Sequence, residues 1–113
     1  MERPWTLTID ELAKLYRSGQ TDPVQIIEAF RARIAKLDPA LNCFVALNPD
    51  LEADAAQSAE RWKSGAPLSP LDGIPLAIKD NLVVAGMPAT WGSAAFAGHV
   101  CTEDELPIAR LRA

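Results

Sequence analysis

The sequence has few of the residues that build metal or redox sites, with two cysteines and one histidine among 113 residues. Cys43 and Cys101 lie far apart, and His99 has no second histidine to work with. Structural zinc and iron–sulfur sites need more ligands at short spacings. We therefore expect no metal site, no nucleophilic role for Cys101, and two buried, reduced thiols rather than a disulfide.

The chain also has no excess of positive charge and no apolar leader. It carries 11 Lys and Arg against 15 Asp and Glu, a net charge of −4, which argues against direct binding of nucleic acid by this segment. The first six residues lack the apolar core of a signal peptide, which favours a cytoplasmic protein. Residues 81–102 are uncharged, but glycines and a proline interrupt them, so we expect buried chain and no membrane span.

The sequence does contain a set of helix signals, and 49% of its residues are hydrophobic. Thr8 and Glu11 predict a capping box at the start of a first helix, which Gly19 ends. Asp22 and Pro23 predict the start of a second helix, with apolar residues at steps of three and four. The helix is expected to fray and end at Pro39, and its row of apolar side chains is expected to pack against the hydrophobic core.

Two more helices follow. An alanine-rich helix is expected from Asn48-Pro49 to about Ser64, with its alanines allowing close packing. A last helix is expected with Asp104 as its N-cap and Pro107 in its first turn. Its apolar stripe continues to the last residue, which predicts a piece of a longer protein. The three tryptophans, Trp5, Trp62 and Trp91, are expected to be packing anchors, and His99 a loop or core residue.

Two short apolar runs predict strands, at Cys43–Leu47 and at Ile74–Ile78. The second has the length of a fully buried strand, with Pro75 tolerable near its start. Because side chains alternate along a strand, Lys79 leaves this segment on its small-residue side. A lysine at the end of a buried strand has a structural interpretation, as a salt-bridged or snorkelling side chain, and a catalytic one.

The block GIPLAIKDN at 73–81 resembles the amidase signature family. The similarity extends to the helix at 22–37, to the GMPATWGS segment at 86–93, and to Asp104 with residues 109–113; Pro107 departs from the family pattern. The resemblance implies an α/β fold, a mixed sheet sandwiched by helices, of which residues 1–113 form the N-terminal part of a single domain. That part ends before the family's Gly/Ser-rich signature stretch.

The resemblance also implies a serine hydrolase that cleaves non-peptide carbon–nitrogen amide bonds through an acyl-serine intermediate. Its triad is a nucleophilic serine, a second serine in a cis peptide, and a lysine that matches Lys79. The two serines lie beyond residue 113 in the family, and Ser93 matches no catalytic position. The implied partners are a small-molecule amide and the rest of the amidase chain, with no metal or organic cofactor and no membrane.

A lysine serves as a base only when neutral, which at pH 7 requires its pKa to fall by about three units, or roughly 4 kcal/mol. Burial supplies shifts of that size. We therefore expect residues 1–113 alone to be inactive. Two alternatives stay open: the glutamine-hydrolysing subunit of a tRNA-dependent amidotransferase, and a non-catalytic piece that docks on another chain. Self-association into a homo-oligomer also stays open.

Overall fold

The computed structural model describes residues 3–113, and its regular structure is helical. The helices are α1 (Ile9–Ser18), α2 (Pro23–Leu41), α3 (Leu51–Lys63) and α4 (Leu106–Arg112). Short 3-10 turns occupy Pro4–Thr6 and Ala94–Phe96. The chain forms two compact units: residues up to 43 together with 49–75, and residues 44–48 together with 76–113.

The predicted starts of α1 and α2 are confirmed, whereas α3 begins at Leu51 rather than at Asn48-Pro49. The Thr8 hydroxyl accepts from the Glu11 amide at 3.3 Å while the Thr8 amide donates to the Glu11 carboxylate at 2.7 Å, the two halves of a capping box. Gly19 ends α1 in the left-handed conformation. The Asp22 carboxylate caps α2 by accepting from the Gln25 amide, and Pro23 is its first residue.

The end of α2 corrects the expectation at Pro39. The proline lies inside the helix, which continues to Leu41. Asn42 adopts a left-handed conformation and donates its amide to the Asp38 carbonyl at 2.7 Å, and the Asp38 carboxylate accepts from the Cys43 amide at 2.7 Å. The first bond satisfies the Asp38 carbonyl near the helix end, and the helix continues for two residues beyond the proline.

The core of the first unit is formed by α1, α2 and α3. Leu12, Ala13, Tyr16, Ile26 and Trp62 are buried together. The Ala55 and Ala59 faces of α3 are buried, whereas Ala53 and Ala56 are exposed, so half of the alanines serve close packing. The α3 helix begins at Leu51, three residues after Asn48, and Ser64 and Gly65 follow its end.

The expectations for the tryptophans hold in the first unit. Trp62 is buried against Tyr16, with ring centroids 5.6 Å apart. Trp5 packs edge-on against Phe30 at 6.5 Å, and the Arg33 guanidinium lies 4.3 Å from the Trp5 ring centroid. Both side chains anchor the helices by apolar contact.

Neither predicted strand forms within residues 3–113. Cys43–Leu47 and Ile74–Ile78 have no strand assignment, and the one bridge in the described chain is an isolated antiparallel pair, Pro88 with Val100. A strand is defined by a ladder of hydrogen bonds to a neighbouring strand, and no such ladder is assigned to either run within residues 3–113. Leu76 and Ile78 are 53% and 38% exposed, so the second run is not buried as expected.

Smaller corrections concern the cysteines and α4. Both thiols are free; Cys101 is buried as expected, but Cys43 is exposed. The residue before α4 is Glu105 rather than Asp104, and Pro107 lies in the first turn as expected. The Asp104 carboxylate is engaged elsewhere, accepting from the Ala85 amide at 2.8 Å and pairing with Arg112 at 2.8 Å. No helix within the described residues is long and apolar enough to cross a membrane.

Candidate functional site

Lys79 lies in the second unit, at the end of an irregular segment. Its carbonyl accepts from the Leu82 amide at 3.0 Å, which turns the chain directly after it. The side chain is exposed, and no ion pair or hydrogen bond of its ammonium group is found within residues 3–113. The lysine is therefore accessible, and the described chain does not supply the burial that base chemistry requires.

Asp80, the next residue, holds a turn ten residues further on. Its carboxylate accepts from the Thr90 amide at 2.8 Å and from the Thr90 hydroxyl, and its carbonyl accepts from the Trp91 amide at 3.3 Å. Hydrogen bonds from Thr90 lower the pKa of the Asp80 carboxyl, because they stabilise the charged form. We call these three hydrogen bonds the Asp80–Thr90 clamp.

The turn held by this clamp is tight and carries an exposed aromatic ring. The Gly92 amide donates to the Thr90 hydroxyl at 3.2 Å, and the Ser93 amide donates to the Thr90 carbonyl at 2.9 Å. Trp91 has φ of 50°, a left-handed conformation that costs energy in a residue with a bulky side chain. The surrounding hydrogen bonds therefore hold the backbone of Trp91 in this unfavourable conformation.

Trp91 is an anchor only in part. Its ring is 50% exposed and packs at 5.6 Å from Phe96 and 6.4 Å from His99. His99 is an exposed loop residue, one of the two placements expected for it. The Ser93 hydroxyl accepts from the Ala95 amide and caps the 3-10 turn.

The segments that follow Lys79 are held to each other by backbone pairing. The Gly86 amide donates to the Cys101 carbonyl at 2.9 Å, and the Cys101 amide donates to the Met87 carbonyl at 3.0 Å. The Glu105 carboxylate accepts from the Val83 amide at 3.1 Å, and the Glu105 amide donates to the Val83 carbonyl at 2.9 Å. These bonds tie the stretch after Lys79 to the start of α4.

In the first unit, Asp72 fixes the chain just before this segment begins. Its buried carboxylate accepts two hydrogen bonds from Arg61 and one from Ser58, each at 2.7 Å, and one from the Leu68 amide at 3.0 Å. The Arg61 guanidinium is the main reason that the pKa of Asp72 falls to about 2. Sequence patterns did not reveal this network, although Ser58 and Arg61 lie three residues apart on one face of α3.

The backbone at Asp72 and Gly73 is also bonded to aromatic side chains. The Trp62 indole donates to the Asp72 carbonyl at 3.0 Å, and the Tyr16 hydroxyl donates to the Gly73 carbonyl at 3.1 Å. Burial raises the pKa of Tyr16 well above its usual value, so the hydroxyl keeps its proton and remains a donor at neutral pH.

A metal site is not indicated by the described residues. Within residues 3–113, no three His, Cys, Asp or Glu side chains are grouped so that they could hold a metal ion. In the second unit, Lys79 offers an accessible amine, and the carboxylates of Asp80, Asp104 and Glu105 accept hydrogen bonds from backbone amides.

Comparison with known proteins defines the family. The family model for amidases matches residues 25–113, so the chain belongs to the amidase family. It is 35% identical over 95% of its length to a glutamyl-tRNA(Gln) amidotransferase subunit from Symbiobacterium thermophilum. It is 32% identical over 94% of its length to an acylamidase of Rhodococcus erythropolis.

Solved structures that are similar to this chain are also amidases. The native peptide amidase of Stenotrophomonas maltophilia is 34% identical and superposes with a TM-score of 0.89 over 96% of this chain. The chain spans about 22% of the length of the two curated relatives and 23% of that amidase. An α/β amidase fold therefore fits this chain, while the sheet of the expected sandwich is not confirmed in the described residues.

Proposed function

We propose that Lys79 is the general base and acid of an amide-hydrolysing enzyme to which this chain contributes one part. The observation that carries the proposal is the amidase family match over residues 25–113, which includes Lys79. The accessible amine at the end of the 74–78 segment supports it, because a proton-transfer group must be able to reach its partner.

In the proposed reaction, neutral Lys79 takes the proton of a nucleophilic serine through a second serine in a cis peptide. The serine oxygen attacks the amide carbon, the carbon–nitrogen bond breaks, and the proton passes to the leaving amine. Water then hydrolyses the acyl-serine ester and regenerates the hydroxyl. Both serines are expected outside residues 1–113.

Lys79 needs a covering chain for this role. Its side chain is exposed in the described structure, and water stabilises the ammonium form of an amine, which has no lone pair to accept a proton. The proposal therefore assigns activity to the assembly of this chain with the remaining part of an amidase fold. The chain alone is expected to release no ammonia from amides above the background of its Lys79→Ala variant.

The test is a hybrid enzyme in which this chain replaces the matching segment of the Stenotrophomonas maltophilia peptide amidase. We expect the hybrid to hydrolyse peptide amides and Lys79→Ala to lower kcat by about 10³-fold, within the range typical of general acid–base catalysis. Lys36→Ala, another exposed lysine, is the matched control and should keep full activity. A folded hybrid in which Lys79→Ala retains the parent kcat would contradict the proposal.

The substrate is proposed as an amide without restriction to non-peptide bonds. The expected restriction receives no support, because one similar solved structure is a peptide amidase. Acylamidase and peptide amidase relatives favour a free-standing amidase acting on a small-molecule or peptide amide.

A second candidate is the glutamine-hydrolysing subunit of a tRNA-dependent amidotransferase. It is favoured by two amidotransferase relatives that are 35% and 41% identical to this chain. A second hybrid, built with the remaining part of the amidotransferase subunit from Symbiobacterium thermophilum, separates the two candidates. Glutamine hydrolysis restored only in this hybrid would favour the amidotransferase, whereas amide hydrolysis restored only in the first would favour the free-standing amidase.

A further inference from the structure

We propose that Asp80 and Thr90 are positioning residues for Lys79, and that the Asp80–Thr90 clamp holds the backbone from which the lysine projects. This inference rests on the proposed function, because positioning has a catalytic meaning only if Lys79 takes part in the reaction. The clamp itself is a structural feature that can be measured without any activity.

The first argument is that few described hydrogen bonds fix the chain around Lys79. No backbone hydrogen bond within residues 3–113 holds residues 75–78, so Lys79 is not anchored by a ladder on its N-terminal side. The Leu82 amide bonds the Lys79 carbonyl, and the three hydrogen bonds of the clamp secure the next residue. The clamp therefore connects the lysine segment to a buried threonine.

The second argument concerns charge. A carboxylate beside a lysine stabilises the ammonium form and opposes its use as a base. Asp80 directs its carboxylate to the amide and hydroxyl of Thr90, and no ion pair between Asp80 and Lys79 is found in the described chain. Thr90 thus satisfies the neighbouring acid and leaves the amine free for another partner.

The third argument is the strain of the turn that the clamp holds. Trp91 keeps φ of 50° while its amide donates to the Asp80 carbonyl. A left-handed conformation at a bulky residue persists only where surrounding bonds impose it, and such places often serve function. Thr90 is only 9% exposed, so the clamp has a fixed anchor on this side.

The clamp can be tested in the 113-residue chain by amide hydrogen exchange. We expect Asp80→Ala to raise the exchange rates of the Thr90 and Trp91 amides by about tenfold or more. The Thr90 amide loses its carboxylate acceptor, and the Trp91 amide keeps its carbonyl acceptor but loses the neighbouring bonds that hold the turn. Asp10→Ala, on the exposed face of α1, is the matched control and should leave these two rates unchanged. Unchanged exchange in Asp80→Ala would overturn the clamp.

The catalytic consequence is tested in the hybrid enzyme. Thr90→Val removes the hydroxyl but keeps the shape of the side chain, and we expect kcat to fall about tenfold with KM unchanged. Thr90→Ser restores the hydroxyl and should recover most of kcat. A simple loss of folded protein would lower the amount of active enzyme in Thr90→Val, which titration of active sites detects.

The outcomes separate this inference from the proposed function. If Lys79→Ala abolishes turnover but Thr90→Val keeps the parent kcat, the positioning role is wrong and the function stands. If Lys79→Ala keeps turnover, the function fails, and the exchange experiment still decides whether the clamp exists. A rise in KM with constant kcat in Thr90→Val would also overturn the positioning role.

Discussion

Among the acids of the first unit within residues 3–113, Asp72 is the buried one. Its side chain is 3% exposed, whereas that of its partner Arg61 is 32% exposed. Removing the partner leaves a buried charge without compensation, which costs more than the pair itself contributes. The network therefore makes the chain at 72–73 sensitive to the ionisation of a single carboxyl group.

At this scale we predict an acid-sensitive stability. The folded-state pKa of Asp72 is about 2, below its ordinary value of 3.8, so its contribution is present above pH 3.8 and is lost as the pH falls toward 2. Urea unfolding of the parent chain should show the free energy of unfolding decreasing through this window. The difference between the parent chain and Asp72→Asn should shrink over the same window, since the variant cannot titrate there.

A difference that stays constant from about pH 5 to about pH 2 would contradict this assignment. Other carboxyl groups with lowered pKa values, such as Glu11 and Asp80, titrate in both proteins and cancel in the comparison. The comparison therefore isolates one group.

The sequence pointed to Lys79 but not to the residues around it. Lys79 was identified by a contiguous motif, which needs no knowledge of the fold. Ser58 and Arg61, which bond Asp72, and Thr90, which bonds Asp80, lie 10 to 14 residues away in sequence. Spacing along a chain does not reveal such contacts until the loop geometry is known.

At the scale of elements, helices were predictable because their signals are local. The capping box at Thr8, the left-handed Gly19 and the Asp22-Pro23 start all fall within single turns. Strands are not local, because they depend on hydrogen bonds to another segment. The run at Ile74–Ile78 has a strand's composition, and within residues 3–113 no strand ladder is assigned to it.

The meeting of three elements at Gly73 gives a second prediction. Its φ is +76°, and an added Cβ would lie 2.5 Å from both Pro23 Cγ, at the start of α2, and Ser58 Oγ, in α3. We expect Gly73→Ala to lower the free energy of unfolding by about 3 kcal/mol, because strain and overlap add. Thermal and urea unfolding measure the loss.

Gly65→Ala is the matched control for this prediction. Gly65 has nearly the same φ, +73°, but nothing lies within 4 Å of its added Cβ. Only the backbone strain remains there, so a loss of about 1 kcal/mol is expected. Equal losses in the two variants would show that close packing at Gly73 contributes nothing.

At the scale of the whole molecule, the second unit exposes much apolar surface. Val45, Leu76, Val100 and Leu106 are each more than half exposed, at 64%, 53%, 56% and 64%. Exposed apolar segments without hydrogen-bonded neighbours recruit partners or associate. A separate partner, a second copy of this chain or further amidase chain would each cover this surface.

We therefore predict that the purified chain associates as its concentration rises from about 1 µM to about 100 µM, a range in which exposed apolar surfaces cause association. Sedimentation velocity should show an increasing weight-average mass. Leu76→Asp should reduce the association, while Leu68→Asp, an equally exposed leucine of the first unit, should not. A stable monomer across this range would refute the prediction.

The chain crosses between its two units three times, after residues 43, 48 and 75. A single nick between residues 43 and 49 would therefore leave α2 and α3 on separate peptides, held together by non-covalent contacts, including those of Tyr16 in α1 with Trp62 in α3. Limited proteolysis would not release either unit as one continuous piece. Shortening the gene at residue 75 would likewise carry residues 44–48 along as an orphaned loop.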